Sequence, residues 1–172
     1  MKIAVLFANG TEEIEGLTPV DVLRRAGVEC EIVSVSGLNP VGSHGIEIKA
    51  DKTIEQVDLA GYDGVVIPGG MPGAVNIASN KKVVDGIRDL LEKEKLVSAI
   101  CASPAVVLAE NGLLNDKRAT CYPAPQFIKA LGENYTAKDV ESDKNLITAN
   151  GPKSALAFSL EICNFLGVVP KF

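Results

Sequence analysis

Short apolar runs alternate along the chain with longer segments in which apolar residues recur every three or four positions. The short runs suit strands that are buried on both faces of a parallel sheet, and the longer segments are typical of amphipathic helices. The predicted strands are residues 2–8, 31–36, 46–50, 64–68, 96–100, 118–121 and 145–149, with 46–50 as an edge strand.

The predicted helices are residues 18–26, 80–94, 103–110 and 152–166. Thr18 is the expected N-cap of the first, with Pro19 in its first turn, and glycines follow the ends of three of the four helices. The segment 123–143 has no clear pattern. Strands and helices in alternation predict one α/β domain over residues 1–172, with a mostly parallel sheet covered by helices on both faces.

The charge balance narrows the classes of partner that the protein could bind. The chain has 17 Lys and Arg against 22 Asp and Glu, a formal net charge of −5. This argues against a nucleic-acid partner and against binding to an anionic membrane surface. We see neither a membrane-spanning apolar run nor a signal peptide, so we expect a cytoplasmic protein with reduced thiols.

The chain has four cysteines and one histidine. A single histidine excludes metal sites that need two imidazoles, and no two cysteines have Cys-x-x-Cys spacing. No metal site is therefore predicted, and each cysteine needs its own explanation. Cys30 and Cys163 fit packing positions, and Cys121 is expected in the core rather than at the rim of a site. His44, in a polar loop, is expected to be exposed.

Ligands of open α/β sheets bind beyond the carboxyl ends of the strands, which selects the loops 9–16, 69–73 and 101–104. Cys101 directly follows a strand, precedes a predicted helix and has small neighbours, as a nucleophile elbow requires. A helix N-terminus beside the sulfur would lower the pKa of the thiol. The alternative from the residues alone is a buried, inert cysteine.

Two further groups in these loops have candidate roles. Glu12 and Glu13 fit a favourable charge cluster at a helix start, whereas Glu15 has apolar neighbours and should have a raised pKa. Gly69 and Gly70 form either a simple turn or a place where backbone N–H groups approach a ligand. Their spacing does not match a nucleotide-binding motif.

Four segments together resemble the DJ-1/PfpI (ThiJ/PfpI) superfamily, in the branch of the parkinsonism-associated protein and its bacterial relatives. They are NGTEEIEGLTPVDVLRRAG, YDGVVIPGGMPGA, AICASPAVVLAENGLL and NGPKSALAFSLEI, and they follow one another over nearly the whole chain. The resemblance implies a flavodoxin-like three-layer sandwich, usually a homodimer, with a nucleophile elbow at the switch point. It implies that Cys101 is the nucleophile, that Glu15 hydrogen-bonds it, and that Gly70 and Ala102 form the backbone oxyanion site.

The rim of the implied pocket departs from the family's pattern at two positions. Tyr122 stands where a histidine is common, and tyrosine cannot shuttle protons near neutral pH as histidine does. His44 stands where an arginine is frequent. Gly69 and Arg25 complete the predicted rim. Ala102 follows the cysteine where the protease branch has a histidine, and the amidotransferases' late His–Glu pair is absent, so we set both activities aside.

The resemblance implies an enzyme with glyoxalase- or deglycase-type chemistry on α-oxoaldehydes such as methylglyoxal, in a stress response and without a cofactor. The alternative is a non-enzymatic redox sensor or chaperone that works through oxidation of Cys101. A role in thiazole-monophosphate biosynthesis is a weaker implication. A scaffold whose cysteine has no function is the remaining interpretation. The expected partners are a small reactive carbonyl compound or an oxidant, and a second copy of the chain.

Overall fold

The computed structural model describes residues 1–172 and has seven strands in one sheet. The strands are β1 (Lys2–Phe7), β2 (Glu29–Ser34), β3 (Lys52–Thr53), β4 (Gly64–Ile67), β5 (Leu96–Ile100), β6 (Val140–Asp143) and β7 (Leu146–Ala149). Their order is β3-β2-β1-β4-β5-β7-β6, and only the β6–β7 pair is antiparallel. The chain changes direction across the sheet between β1 and β4, so the switch point lies at their carboxyl ends.

Helices cover both faces of the sheet. They are α1 (Glu13–Arg25), α2 (Gly73–Ala78), α3 (Lys81–Glu92), α4 (Pro125–Leu131) and α5 (Ala155–Leu166). A π-helical turn, Pro104–Leu108, follows β5. The helices α1 and α5 pack together on one face, while α2, α3 and α4 lie on the other. None of the helices combines the length and apolar character that crossing a membrane requires. The predicted three-layer α/β sandwich is confirmed.

The central strand β1 contributes to both hydrophobic cores. Its side chains alternate between faces: Ala4 and Leu6 pack in the core under α3, whereas Ile3, Val5 and Phe7 pack under α1 and α5. All five side chains are fully buried. A strand buried on both faces has no polar side, which is why this segment is an unbroken apolar run.

The first helix begins at Glu13 rather than at Thr18, so the prediction that Thr18 is its N-cap is wrong. The side chain of Glu12 caps this helix by accepting the backbone N–H of Glu15 at 2.9 Å. Pro19 then lies inside α1, where its missing N–H leaves one helical hydrogen bond unmade. The earlier start places Glu15 in the first turn of the helix, at the carboxyl edge of the sheet.

Two predicted strands are absent, and one predicted helix has a different form. Residues 46–50 contribute only an isolated bridge between Val41 and Glu47, and the sheet edge is β3 instead. Residues 118–121 contribute only a bridge between Ala119 and Tyr135, because β7 pairs with β6 on that side. Residues 103–110 form the π-helical turn and a 3-10 turn that ends at Gly112 (φ 67°).

Candidate active site

Cys101 lies at the sharp turn between β5 and the π-helical turn. Its φ of 65° is in the left-handed region, which a residue with a β-carbon adopts only when its surroundings enforce it. The backbone N–H of Cys101 donates to Ala149 O at 2.9 Å, and its carbonyl accepts the N–H of Tyr122 at 2.8 Å. Hydrogen bonds from β7 and from the 122 loop therefore fix this backbone conformation, and the side chain stays only partly buried.

The loop after β4 passes directly against this turn. A β-carbon at Gly69 would lie 2.7 Å from Cys101 Cβ and 3.0 Å from Ile100 O, so only glycine fits. Gly70 has a φ of 88°, and its N–H and that of Ala102 both interact with the Cys101 sulfur and lower the pKa of the thiol. The structure thus brings together the two N–H groups that were predicted to form an oxyanion site.

Polar side chains that the sequence reasoning missed hold these loops in place. Ser103 Oγ donates to Pro68 O at 2.5 Å, and Thr11 Oγ1 accepts the N–H of Ala8 at 2.9 Å. The backbone N–H of Glu12 donates to Gly69 O at 3.1 Å. Both hydroxyl residues are fully buried. The sequence does contain a signal for these contacts, because a Ser or Thr shortly after a buried strand normally hydrogen-bonds to nearby backbone.

Glu15 is completely buried, and neither of its carboxyl oxygens has a well-formed hydrogen bond. Burial, followed by the negative charge of Glu12, raises the pKa of the Glu15 carboxyl to about 8. The Cys101 thiol is the polar group that the carboxyl meets, and their interaction lowers this pKa in part. Glu15 is therefore a neutral acid at neutral pH that can donate a proton to a group in the pocket.

The expectation that the pKa of the Cys101 thiol falls is wrong. Burial and the charge of ionised Glu15 raise the pKa of the Cys101 thiol to about 12, and the N–H groups of Ala102 and Gly70 oppose this only in part. The following turn is too short to act as a full helix dipole. Protonation of Glu15 removes its charge and leaves a carboxyl that can donate to a thiolate, so the two groups titrate as a pair.

His44 lies over the start of α1, outside the Cys101–Glu15 contact. Its Nδ1 is 2.9 Å from Glu13 Oε2 and 3.7 Å from Glu12 Oε1, and its ring is exposed, as predicted. Its backbone N–H donates to Glu13 Oε1 at 2.8 Å. These three residues place potential metal-ligand atoms within 4.8 Å of one another. Both oxygens of Glu13 contact His44, one through the backbone N–H and the other through the ring Nδ1.

The remaining predicted residues separate clearly. Tyr122 lies beside Cys101 and is 47% exposed, so the structure places it at the rim. Arg25 lies at the opposite end of α1, where it bonds to Asp21 at 2.9 Å. Arg25 is therefore not at the rim of the pocket of its own chain, and this part of the prediction is wrong. Buried packing positions are confirmed for the other three cysteines, Cys30, Cys121 and Cys163.

Together these features define a flavodoxin-like α/β protein with a cysteine at a nucleophile elbow and a buried acid beside it. The sequence model described as the DJ-1/PfpI family matches residues 1–164, and the chain belongs to this family.

The relatives include proteins of similar length and proteins that are much longer. Protein DJ-1 homolog B of Arabidopsis thaliana is 37% identical over 94% of this chain, which spans only 37% of that protein. Parkinson disease protein 7 homolog of Danio rerio is 35% identical over 92% of this chain and 85% of its own length. The solved structure "Toxoplasma gondii DJ-1, oxidized" has a TM-score of 0.92 and 37% identity, covering 96% of this chain and 90% of that one. The chain is thus similar to DJ-1 proteins over almost its full length.

Proposed function

We propose that this protein converts α-oxoaldehydes such as methylglyoxal into 2-hydroxy acids, a glyoxalase- or deglycase-type activity that serves a stress response. The observation that carries the proposal is the buried Glu15 carboxyl, which has no hydrogen-bond partner of its own and faces the Cys101 thiol. An unsatisfied buried carboxyl is costly to folding, so its presence beside a thiol favours a chemical role. A cytoplasmic location stays a prediction.

The chemistry requires no external oxidant or reductant. Cys101 Sγ bonds to the aldehyde carbon, and the thiol proton passes to the aldehyde oxygen, which the N–H groups of Gly70 and Ala102 stabilise. The ionised form of Glu15, a minority at neutral pH, removes the hydrogen from this carbon while water protonates the ketone oxygen. Glu15 then returns its proton to the former ketone carbon, and the hydroxyl on the aldehyde carbon gives its proton back to water. The aldehyde carbon is now a thioester and the ketone carbon an alcohol. Water cleaves the C–S bond, releases the 2-hydroxy acid and restores the thiol.

Lactate formation from methylglyoxal tests the proposal. The wild type should form lactate, whereas Cys101→Ser lacks the nucleophile and Glu15→Gln lacks the base, so both should lose most of the activity. Glu133→Gln removes one charge from an exposed position outside the pocket and should leave the rate unchanged. Equal traces of lactate from all four proteins would contradict an enzymatic role.

A redox sensor is the second candidate function. It is favoured by the partial exposure of Cys101, since the three other cysteines are buried, and by the description of the Toxoplasma gondii relative as oxidized. A protonated Glu15 could donate a hydrogen bond to a sulfinate on Cys101. Mass spectrometry after mild peroxide treatment should show oxygen added first to Cys101. Earlier oxidation of Cys30 or Cys163 would contradict this candidate.

A homodimer is the assembly that we propose for either function. Large apolar side chains are exposed on the packed pair of helices α1 and α5: Ile14, Leu17, Leu156 and Leu160. Exposed apolar groups on neighbouring helices favour contact with a second protein surface. Leu160→Glu should shift the sedimenting species from dimer to monomer, while Glu133→Gln should not. A wild-type protein that sediments as a monomer would contradict the proposal.

A further inference from the structure

A cavity of about 510 Å³ opens beside the Cys101 turn. It is lined by Tyr122, Pro123, Asn150, Gly151, Pro152 and Lys153, and we call it the Lys153 cavity. Lys153 is the only charged residue among the six. Its exposed side chain forms neither a salt bridge nor a hydrogen bond, so its ammonium group can pair with a ligand.

The backbone that presents Lys153 is held by hydrogen bonds. Ser154 Oγ donates to Asn150 Oδ1 at 2.7 Å, and Asn150 Nδ2 donates to Asp139 Oδ1 at 2.9 Å. Pro152 begins a 3-10 turn that leads directly into α5. The amide of Asn150, on the wall of the cavity, is thus hydrogen-bonded to the nearby Asp139 carboxylate. Because this wall is already ordered, ligand binding loses less conformational entropy here, which favours a specific subsite.

The cavity is continuous with the backbone that holds Cys101. Tyr122, on one wall, donates its N–H to Cys101 O at 2.8 Å. The opposite wall begins one residue after Ala149, whose carbonyl accepts the N–H of Cys101 at 2.9 Å. Gly151 packs against the Tyr122 ring, where a β-carbon would lie 3.4 Å from Cδ2. The Lys153 cavity therefore adjoins the backbone of the Cys101 turn.

We propose that the Lys153 cavity binds a carboxylate at the far end of the substrate, so that the preferred α-oxoaldehydes are anionic. This inference rests on the proposed function and extends it to a substrate class. Lys153 is then a specificity-determining residue that takes no part in bond making. A charge-assisted hydrogen bond of this kind increases the affinity of a partly exposed site about three- to tenfold.

The first test compares two α-oxoaldehydes of similar length. One is 4,5-dioxopentanoate, which carries a terminal carboxylate, and the other is the neutral 2-oxohexanal. Wild type should favour the anionic compound in kcat/KM about three- to tenfold. Lys153→Met should abolish this preference, Lys153→Arg should keep most of it, and added salt should weaken it. Lys129→Met removes an exposed, unpaired lysine outside the cavity and should change nothing.

The second test does not depend on turnover. Cys101 is alkylated with 3-maleimidopropanoate, which is anionic, or with N-ethylmaleimide, which is neutral, and the modified peptide is quantified. The ratio of the two rates should fall in Lys153→Met but not in Lys129→Met. A ratio that Lys153→Met leaves unchanged, or a Cys101 that neither reagent reaches, would overturn the inference.

The two tests separate the inference from the function on which it rests. If labelling depends on Lys153 but neither oxoaldehyde is converted, the proposed enzyme activity is contradicted and the anion subsite is supported. If both compounds are converted with equal kcat/KM, the enzyme activity is supported and the anion subsite is contradicted.

Discussion

Gly69 Cα approaches Cys101 so closely that a β-carbon on Gly69 would lie 2.7 Å from Cys101 Cβ. Gly69→Ala must therefore displace either the cysteine or the loop after β4. Because overpacking of a filled site costs about 1–3 kcal/mol, we expect the free energy of unfolding to fall by that amount. Chemical denaturation measures the loss, and the displaced turn should also slow alkylation of Cys101.

Gly61→Ala is the matched control for this change. A β-carbon at Gly61 meets no atom within 4 Å, so the same substitution there should leave both measurements almost unchanged. Equal stability of the two variants would show that Gly69 is not required for close packing against Cys101.

Glu15→Gln should make Cys101 more reactive at lower pH. The pKa of the thiol is raised to about 12 by burial and by the charge of ionised Glu15, and glutamine removes that charge. The pH at which iodoacetamide alkylation of Cys101 is half-maximal should therefore fall relative to wild type. Glu133→Gln should not move this midpoint. A midpoint that stays constant or rises in Glu15→Gln would contradict the coupling of the two groups.

The same carboxyl should make stability depend on pH. Its pKa is about 8 in the folded protein, mainly because of burial, and 4.5 is the ordinary value. Between these values the folded state binds more protons than the unfolded chain, so this group makes stability fall as pH rises and has no further effect above pH 8. The slope is at most about 1.4 kcal/mol per pH unit.

Urea unfolding of wild type and Glu15→Gln across this pH range measures the contribution of the carboxyl. The difference between the two proteins isolates Glu15 from other groups, such as Glu13, that titrate in both. Wild type should lose stability relative to the variant as pH rises. Parallel curves would mean that Glu15 titrates normally in the folded state.

The layers of this fold could be predicted from the sequence because the central strands are buried on both faces. The run at β1 has no polar position after Lys2, and the run that ends just before Cys101 marks the elbow directly. Short peripheral segments were different, because an alternating pattern at 46–50 does not reveal whether a partner strand lies beside it. The start of α1 was missed because a glutamate caps it and Pro19 lies inside it.

The inner part of the site was more accessible to sequence reasoning than its rim. Cys101 directly follows β5 and Glu15 lies in the first turn of the helix that follows β1, so topology brings them together at the carboxyl edge of the sheet. The Lys153 cavity joins two loops that are distant in the sequence, and only the structure reveals that they meet. The direction of the thiol pKa also depended on burial and on the charge of Glu15, which a local pattern does not encode.

His44 is the single histidine of the chain, so its ring signals in a proton NMR titration are unambiguous. Its hydrogen bond and charge interaction with Glu13 raise its pKa above the ordinary value of 6.5. Glu13→Gln should return this pKa toward 6.5, whereas Glu12→Gln should lower it less because Glu12 Oε1 lies at 3.7 Å. Since the folded-state pKa is raised, the pair stabilises the loop fully below pH 6.5 and loses this effect as pH rises through the folded-state value. A titration midpoint that Glu13→Gln leaves unchanged would show that the carboxylate does not hold His44 over the start of α1.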